Sequence, residues 1–259
     1  MINLISVFQD TVKIIQTSDA LINSTQESRA KTKMYDAGFS APIRRVKSQS
    51  INIKVIGGTS FDTARSFALG SHKVAVLNFA NPHRPGGSVK LGARAQEECL
   101  CRCSNLYSVL ATEELNNFYY RWHKENSDDL FSDRVIYSPG IKIIKSDDYQ
   151  LLNSPVSVDI ITCAAPYNGG NLDRELLKNT YESRITNILE TAIDNDADTV
   201  VLGAFGCGEF ENPPELMANS FKEILVNRRY YKYFENVVFA ILNTNPHDSN
   251  YATFKEILT

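Results

Sequence analysis

The spacing of apolar residues changes along the chain, and each change marks an element. In the first stretch Leu4, Val7, Phe8, Val12 and Ile15 recur at helical intervals, so one face of a helix turns inward. Ser18 and Ser24 fit as N-caps within this region, and the charged residues 26–33 are expected at the surface. From Ile51 the period falls to two, with Ile53 and Val55 following, which predicts a strand closed by the turn formers Gly57, Gly58 and Thr59. Thr59 or Ser60 can cap a helix through Ala64, Phe67 and Ala68, ended by Gly70. Residues 73–80 form an apolar, β-branched run between turn formers, the pattern of a buried strand.

Helical spacing returns through Leu100, Leu106, Tyr107, Leu115, Phe118, Tyr119 and Trp122. Residues 124–133 read as a polar loop. Strand pieces are predicted at 135–137 and 141–144, broken at Pro139-Gly140, and a further strand at 156–164, which ends in a turn-rich loop at 165–171. A long helix at 173–193 has Leu176, Leu177, Ile185, Ile188 and Leu189 on its apolar side. A strand at 198–203, a helix from Pro213, a strand at 236–242 and a short helix at 251–258 complete the pattern. Strands that alternate with helices across long connections predict an α/β sheet covered on both faces. Residues 1–50 read as an N-terminal helical extension and 51–259 as the core.

Composition narrows the function classes. A chain of 259 residues, 43% hydrophobic and 22% charged, is ordinary for a globular protein. The net charge of -3 argues against a nucleic-acid surface as the main partner and still permits a local pocket for an anion. No apolar run approaches the roughly 20 residues that span a bilayer, and the N-terminus carries no secretory pattern. Five cysteines suit reduced thiols in a cytoplasmic protein. Cys99, Cys101 and Cys103 are two residues apart on a predicted helix, so they point to different faces and no metal site is expected.

Two stretches carry chemistry. Residues 78–98 read NFANPHRPGGSVKLGARAQEE: a strand end, a glycine-containing loop and adjacent acids, Glu97 and Glu98, at a helix start. The pattern suits a phosphate cradle beside a general acid; it equally suits a surface loop and an acidic first turn that favours the helix dipole. Residues 203–210 read GAFGCGEF, with G-x-x-G-x-G spacing and no Walker lysine. They can form an N–H nest for phosphate or a tight strand-to-helix turn. Both loops leave the carboxyl ends of predicted strands, where α/β sheets bind ligands.

The motifs NFAN, PGGS and QEE, then LxRxSxLY at 100–107, and later GAFGCGEF, resemble the microbial-type poly(ADP-ribose) glycohydrolases of the macrodomain superfamily. The likeness runs from about residue 32 onward, with Ser88 at the third glycine of that family's loop. It implies a three-layer α/β/α macrodomain-like mixed sheet preceded by the helical extension. It also implies that Gly86, Gly87 and the Gly203, Gly206 and Gly208 loop hold a diphosphate, with Ser88, Gln96, Phe205 and Cys207 as further pocket residues. Asn81 and Glu97 would hold hydroxyls of the distal ribose, Phe210 would pack on that ribose, and Glu98 would be the catalytic acid. Asp62 would contact the adenine amine or serve the dipole of its helix. The expected activity is hydrolysis of ribose–ribose bonds by a monomeric enzyme that needs no cofactor or metal and whose partners are ADP-ribose or ADP-ribosylated proteins. The alternatives are removal of single ADP-ribose units from side chains and non-catalytic ADP-ribose binding.

Overall fold

The alternation of strand and helix signals is realised as one seven-stranded sheet between two helical layers. The computed structural model describes residues 2–70, 72–126, 128–169, 172–243 and 249–259. Helices α1 (Leu4–Thr17) and α2 (Asp19–Lys31) come first, followed by strands β1 (Lys33–Tyr35) and β2 (Ile53–Gly57), helix α3 (Ser60–Ala68) and strand β3 (Val74–Phe79). Next come α4 (Gln96–Cys103), α5 (Leu106–Leu110), α6 (Glu113–Leu115) and α7 (Trp122–Asn126), with a π-helical turn at Asn116–Arg121 before α7. The chain continues through β4 (Val135–Lys145), β5 (Leu151–Cys163), α8 (Arg174–Asp194), β6 (Thr199–Leu202), α9 (Pro214–Lys222), β7 (Asn236–Ile241) and α10 (Ser249–Leu258).

The strand order is β1-β4-β5-β3-β6-β7-β2. The pairs β1–β4 and β4–β5 are antiparallel and the other four are parallel, so the sheet is mixed. Alternation along each strand divides the interior in two. Ala75 and Leu77 of β3 face Leu189 of α8 and Phe221 of α9, while Val74 and Val76 face Phe61 of α3 and Leu100 of α4. The central strands are therefore apolar on both faces, as a covered parallel sheet requires.

The structure differs from the sequence reading at several places. Helix ends at Lys31, and β1 is an edge strand inside the region read as helical, with register Met34↔Ile136. Three residues are too short to show a period. Ser24 is no N-cap: it sits inside α2 and its hydroxyl donates to the Leu21 carbonyl. Ser18 holds the N-cap position of α2 without a side-chain cap bond, and the cap of α1 is Asn3, whose Oδ1 accepts from the Ile5 and Ser6 N–H groups. Pro139-Gly140 does not split a strand. β4 runs through both pieces with a bulge between Ser138 and Ile141, with Gly140 at φ +68°. Gly170 and Asn171 of the predicted turn-rich loop lie outside the described residues, as do residues 244–248.

The N-terminal helices are bonded into the rest of the molecule. Phe8 belongs to the interior beneath α3 and α4, the Thr11 hydroxyl donates to the Arg102 carbonyl at 2.6 Å, and the Ser28 hydroxyl to the Pro139 carbonyl at 2.5 Å. α1 thus braces the helix that carries the paired acids.

Candidate active site

The site forms where β3, β5 and β6 end. After Phe79 the chain leaves the sheet, loops through residues 81–95, and re-enters at α4, whose first turn holds Gln96, Glu97 and Glu98. Only 2% of Glu97 and 7% of Glu98 is exposed, which is uncommon for carboxylates and demands specific partners.

Those partners come from the first glycine-containing loop. Glu97 Oε1 accepts from the Gly86 N–H and from Asn78 Nδ2, both at 3.2 Å, and its Oε2 accepts from the Asn81 N–H at 2.7 Å. Glu98 Oε1 accepts from the Ser88 N–H at 2.8 Å, and its Oε2 is buried without a partner among the described residues. Gly87 lies at φ +55°, and a Cβ there would sit 2.4 Å from Glu98 Oε1 and 3.2 Å from Glu97 Oε2. Glycine is required at this position for both reasons. Of the two glycines expected on a diphosphate, Gly86 turns its N–H onto Glu97 and Gly87 donates to the Arg84 carbonyl, while the Ser88 N–H is turned onto Glu98. This corrects the reading of the first loop as a phosphate cradle: with no side chain at 86 or 87, the backbone comes close enough to the carboxylates to bind them instead.

Burial pushes the Glu97 carboxyl up to about 8, and the charge of Glu98 adds to the rise; hydrogen bonds from the Asn81 N–H, Asn78 and the Gly86 N–H oppose it.

Gln96 does not reach outward. Its Nε2 donates to the Ser60 hydroxyl and the Leu77 carbonyl, and its Oε1 accepts from the Phe79 N–H. The amide is fully engaged in joining α4 to β3 and to the start of α3, so Gln96 positions the acids rather than lining a pocket. Asn81 uses its Oδ1 to accept from the His83 and Arg84 N–H groups, which shapes the loop; its Nδ2 has no acceptor among the described residues. Asp62 is exposed in the first turn of α3 and pairs with Arg65 at 3.3 Å.

The second loop is built the opposite way. Gly206 has φ +73°, and a Cβ there would meet Asn212 Nδ2 at 2.2 Å and Ala165 Cβ at 2.5 Å. Buried Asn212 donates to the carbonyls of Gly206 and Pro166 and accepts from the Tyr181 hydroxyl. With its interior side pinned, the loop keeps its carbonyls inward. Among the described residues, the N–H groups of Gly206, Gly208, Glu209 and Phe210 have no protein acceptor. A Cβ on Gly208 would meet nothing within 4 Å, while one on Gly203 would meet the Ala240 carbonyl and Phe79 at 2.8 Å. Phe205 is correspondingly a core residue, 1% exposed with its ring 5.6 Å from that of Phe79, and contributes no side-chain surface to a pocket. Half-buried Cys207 stays a thiol, since burial pushes it up to about 12. Phe210 is half-buried, with ring contacts to Phe131 and Tyr167.

Three residues given no role in the sequence reading thus enter the site. Asn78 is fully buried, holds Glu97 and Thr162 through its Nδ2, and has no partner for its Oδ1. A polar residue inside an apolar strand was its readable signal. Asn212 and Phe131 gave none, because each acts through neighbours distant in sequence.

The sequence and the fold that carry this site are similar to those of known proteins. The family model described as "Microbial-type PARG, catalytic domain" matches residues 9–146. The chain belongs to that family. The structure is similar to that of poly(ADP-ribose) glycohydrolase from Thermomonospora curvata, with 29% identity, 98% of each chain covered and a TM-score of 0.85. A second structure of the Thermomonospora protein, bound to the inhibitor ADP-HPD, matches at 28% identity, 98% coverage of each chain and a TM-score of 0.83. The poly(ADP-ribose) glycohydrolase of Deinococcus radiodurans in complex with ADP-ribose matches at 33% identity, covering 90% of this chain and 96% of its own, with a TM-score of 0.83. No curated protein matches the chain. Among the described residues no helix is long and apolar enough to cross a membrane.

Proposed function

We propose that this chain hydrolyses the ribose–ribose glycosidic bonds of poly(ADP-ribose). The observation that carries the reading is Glu98 Oε2, the buried and unpartnered oxygen of a two-acid site whose backbone bonds already fix the other three carboxylate oxygens. The membership of the family and the ADP-ribose-bound Deinococcus relative support it.

Cleavage of such a bond passes through an oxocarbenium-like transition state, so the leaving oxygen needs a proton and the ribosyl cation needs nearby negative charge. Glu98 Oε2 delivers the proton to the leaving oxygen and, once deprotonated, takes one from the attacking water. Glu97, locked by three N–H donors, accepts from ribose hydroxyls, and Asn81 Nδ2 donates to a ribose hydroxyl oxygen. The N–H groups of Gly206, Gly208, Glu209 and Phe210 hold the diphosphate, Phe210 packs on the distal ribose, and Asp62 takes the adenine amine. The substrate's own diphosphate helps to balance the cation.

Product analysis on two substrates tests this. Purified polymer should yield free ADP-ribose at a rate far above that from a protein carrying single ADP-ribose units. Cleavage of the single units alone would replace the polymer reading with side-chain de-ADP-ribosylation, and tight ADP-ribose binding with no turnover on either would make the protein a reader.

A further inference from the structure

Residues 63–96 contain no aspartate or glutamate, yet include His83, Arg84, Lys90 and Arg94. On a chain of net charge -3 this makes the acid-bearing loop locally basic. The Arg84 carbonyl accepts from the Gly87 N–H at 3.2 Å, so Arg84 stands one turn from the glycine packed against Glu98. Arg84 and Lys124 are exposed and, among the described residues, neither forms an ion pair. Lys124 and Arg84 both act on His83, which is held below its usual range first by its own burial and then by these two cations. Their fields therefore overlap at the imidazole.

Aromatic rings link this basic patch to the site. Phe210 contacts Phe131 at 6.0 Å between ring centroids, and Phe131 contacts His83 edge-on at 5.6 Å. Phe131 and His83 are each only partly buried. The strip leads from Phe210, beside the proposed distal ribose, through Phe131 to His83 and the two cations that act on it. Cations interleaved with ring faces are the chemistry that binds a single strand of bases and phosphates, and a polymer of ADP-ribose repeats offers one adenine and one diphosphate per repeat.

We propose that Arg84, Lys124, His83 and Phe131 form a second subsite for the repeat beyond the scissile bond, with its diphosphate on the two cations and its adenine against the rings. This rests on the polymer reading above. Free ADP-ribose fills only the first subsite, so the strip selects polymer over single units. Glu125, Asp128 and Asp129 lie near Lys124 in the chain, but Asp128 turns its carboxylate onto the Leu130 N–H, and the salt response of binding reports which sign prevails.

The test uses Arg84→Gln/Lys124→Gln in the full chain, with and without Glu98→Gln. Binding of long polymer and of free ADP-ribose is measured across a salt series, along with polymer kcat/KM. The double variant should bind polymer roughly tenfold more weakly at low salt, with a log–log salt slope smaller by about 0.7 for each phosphate that is no longer neutralised. Its ADP-ribose affinity should stay within twofold of wild type, and Arg84→Lys should restore polymer binding. Unchanged polymer affinity and slope would overturn the proposal, as would equal weakening for polymer and ADP-ribose, which would place these residues in the first subsite. Wild type that binds polymer without cleaving it would refute the hydrolase reading while leaving the subsite to be judged by binding; wild type that fails to bind polymer would overturn both.

Discussion

Two glycine-containing loops leave neighbouring strands of the same sheet, and they use the same backbone groups in opposite directions. The loop at 86–88 points its N–H groups inward onto Glu97 and Glu98, and omits a side chain at 87 because the carboxylates fill that space. The loop at 203–210 is pinned from behind by Asn212, and leaves its N–H groups outward. One loop holds the protein's own anions; the other is open to a ligand's. Glycine marks close approach in both, but what approaches is decided by the side chains behind the loop.

Removing the open acid oxygen should produce the largest effect. Glu98→Gln keeps the shape of the side chain and removes the proton donor, so single-turnover cleavage of polymer should fall by about 10²–10⁴-fold or more, with ADP-ribose affinity by calorimetry nearly unchanged. A rate within a few-fold of wild type would end the assignment of Glu98.

The inward loop should also leave a signature in stability against pH. Glu97 is raised from 4.5 in the unfolded chain to about 8 in the fold, so between those values the native state binds more protons than the unfolded state. Stability is then full below about pH 4.5 and falls as pH rises toward 8, by up to about 1.4 kcal/mol per pH unit. Urea unfolding from pH 5 to 8.5 should show this decline in wild type, and Glu97→Gln should remove its part of it. Equal slopes in the two proteins would mean that Glu97 is charged throughout.

Gly87→Ala probes the close approach itself. The methyl would sit on Glu98 Oε1 in a left-handed backbone position, costing about 1–2 kcal/mol from the backbone alone, and the displaced acid should cost roughly 10² in rate. Asn212→Ala should act on the other loop. It strands the Tyr181 hydroxyl and the Pro166 carbonyl, for a loss of about 1–3 kcal/mol, and weakens ADP-ribose binding more than it slows turnover of bound substrate. Gly208→Ala, which meets open space, should change stability by less than about 0.5 kcal/mol. If Gly208→Ala were as damaging as Gly87→Ala, the contrast between the two loops would not hold.

Period and turn chemistry alone determined most of the architecture. Apolar runs at β3, β5, β6 and β7 and the helical face of α8 are strong local signals, because burial on both faces or along one stripe forces them into the sequence. The adjacency of Glu97 and Glu98 and the glycines of both loops were legible for the same local reason. Other features were decided only by the tertiary structure. β1 is stabilised by pairing with β4, which its three residues cannot announce. The engagement of Gln96 with Leu77 and Ser60, the burial of Phe205 against Phe79 and the anchoring of Asn212 to Pro166 and Tyr181 each join residues far apart in the chain. The direction of a backbone N–H depends on which buried acceptor lies behind it. That is why one loop closed on the protein's own acids while the other stayed open.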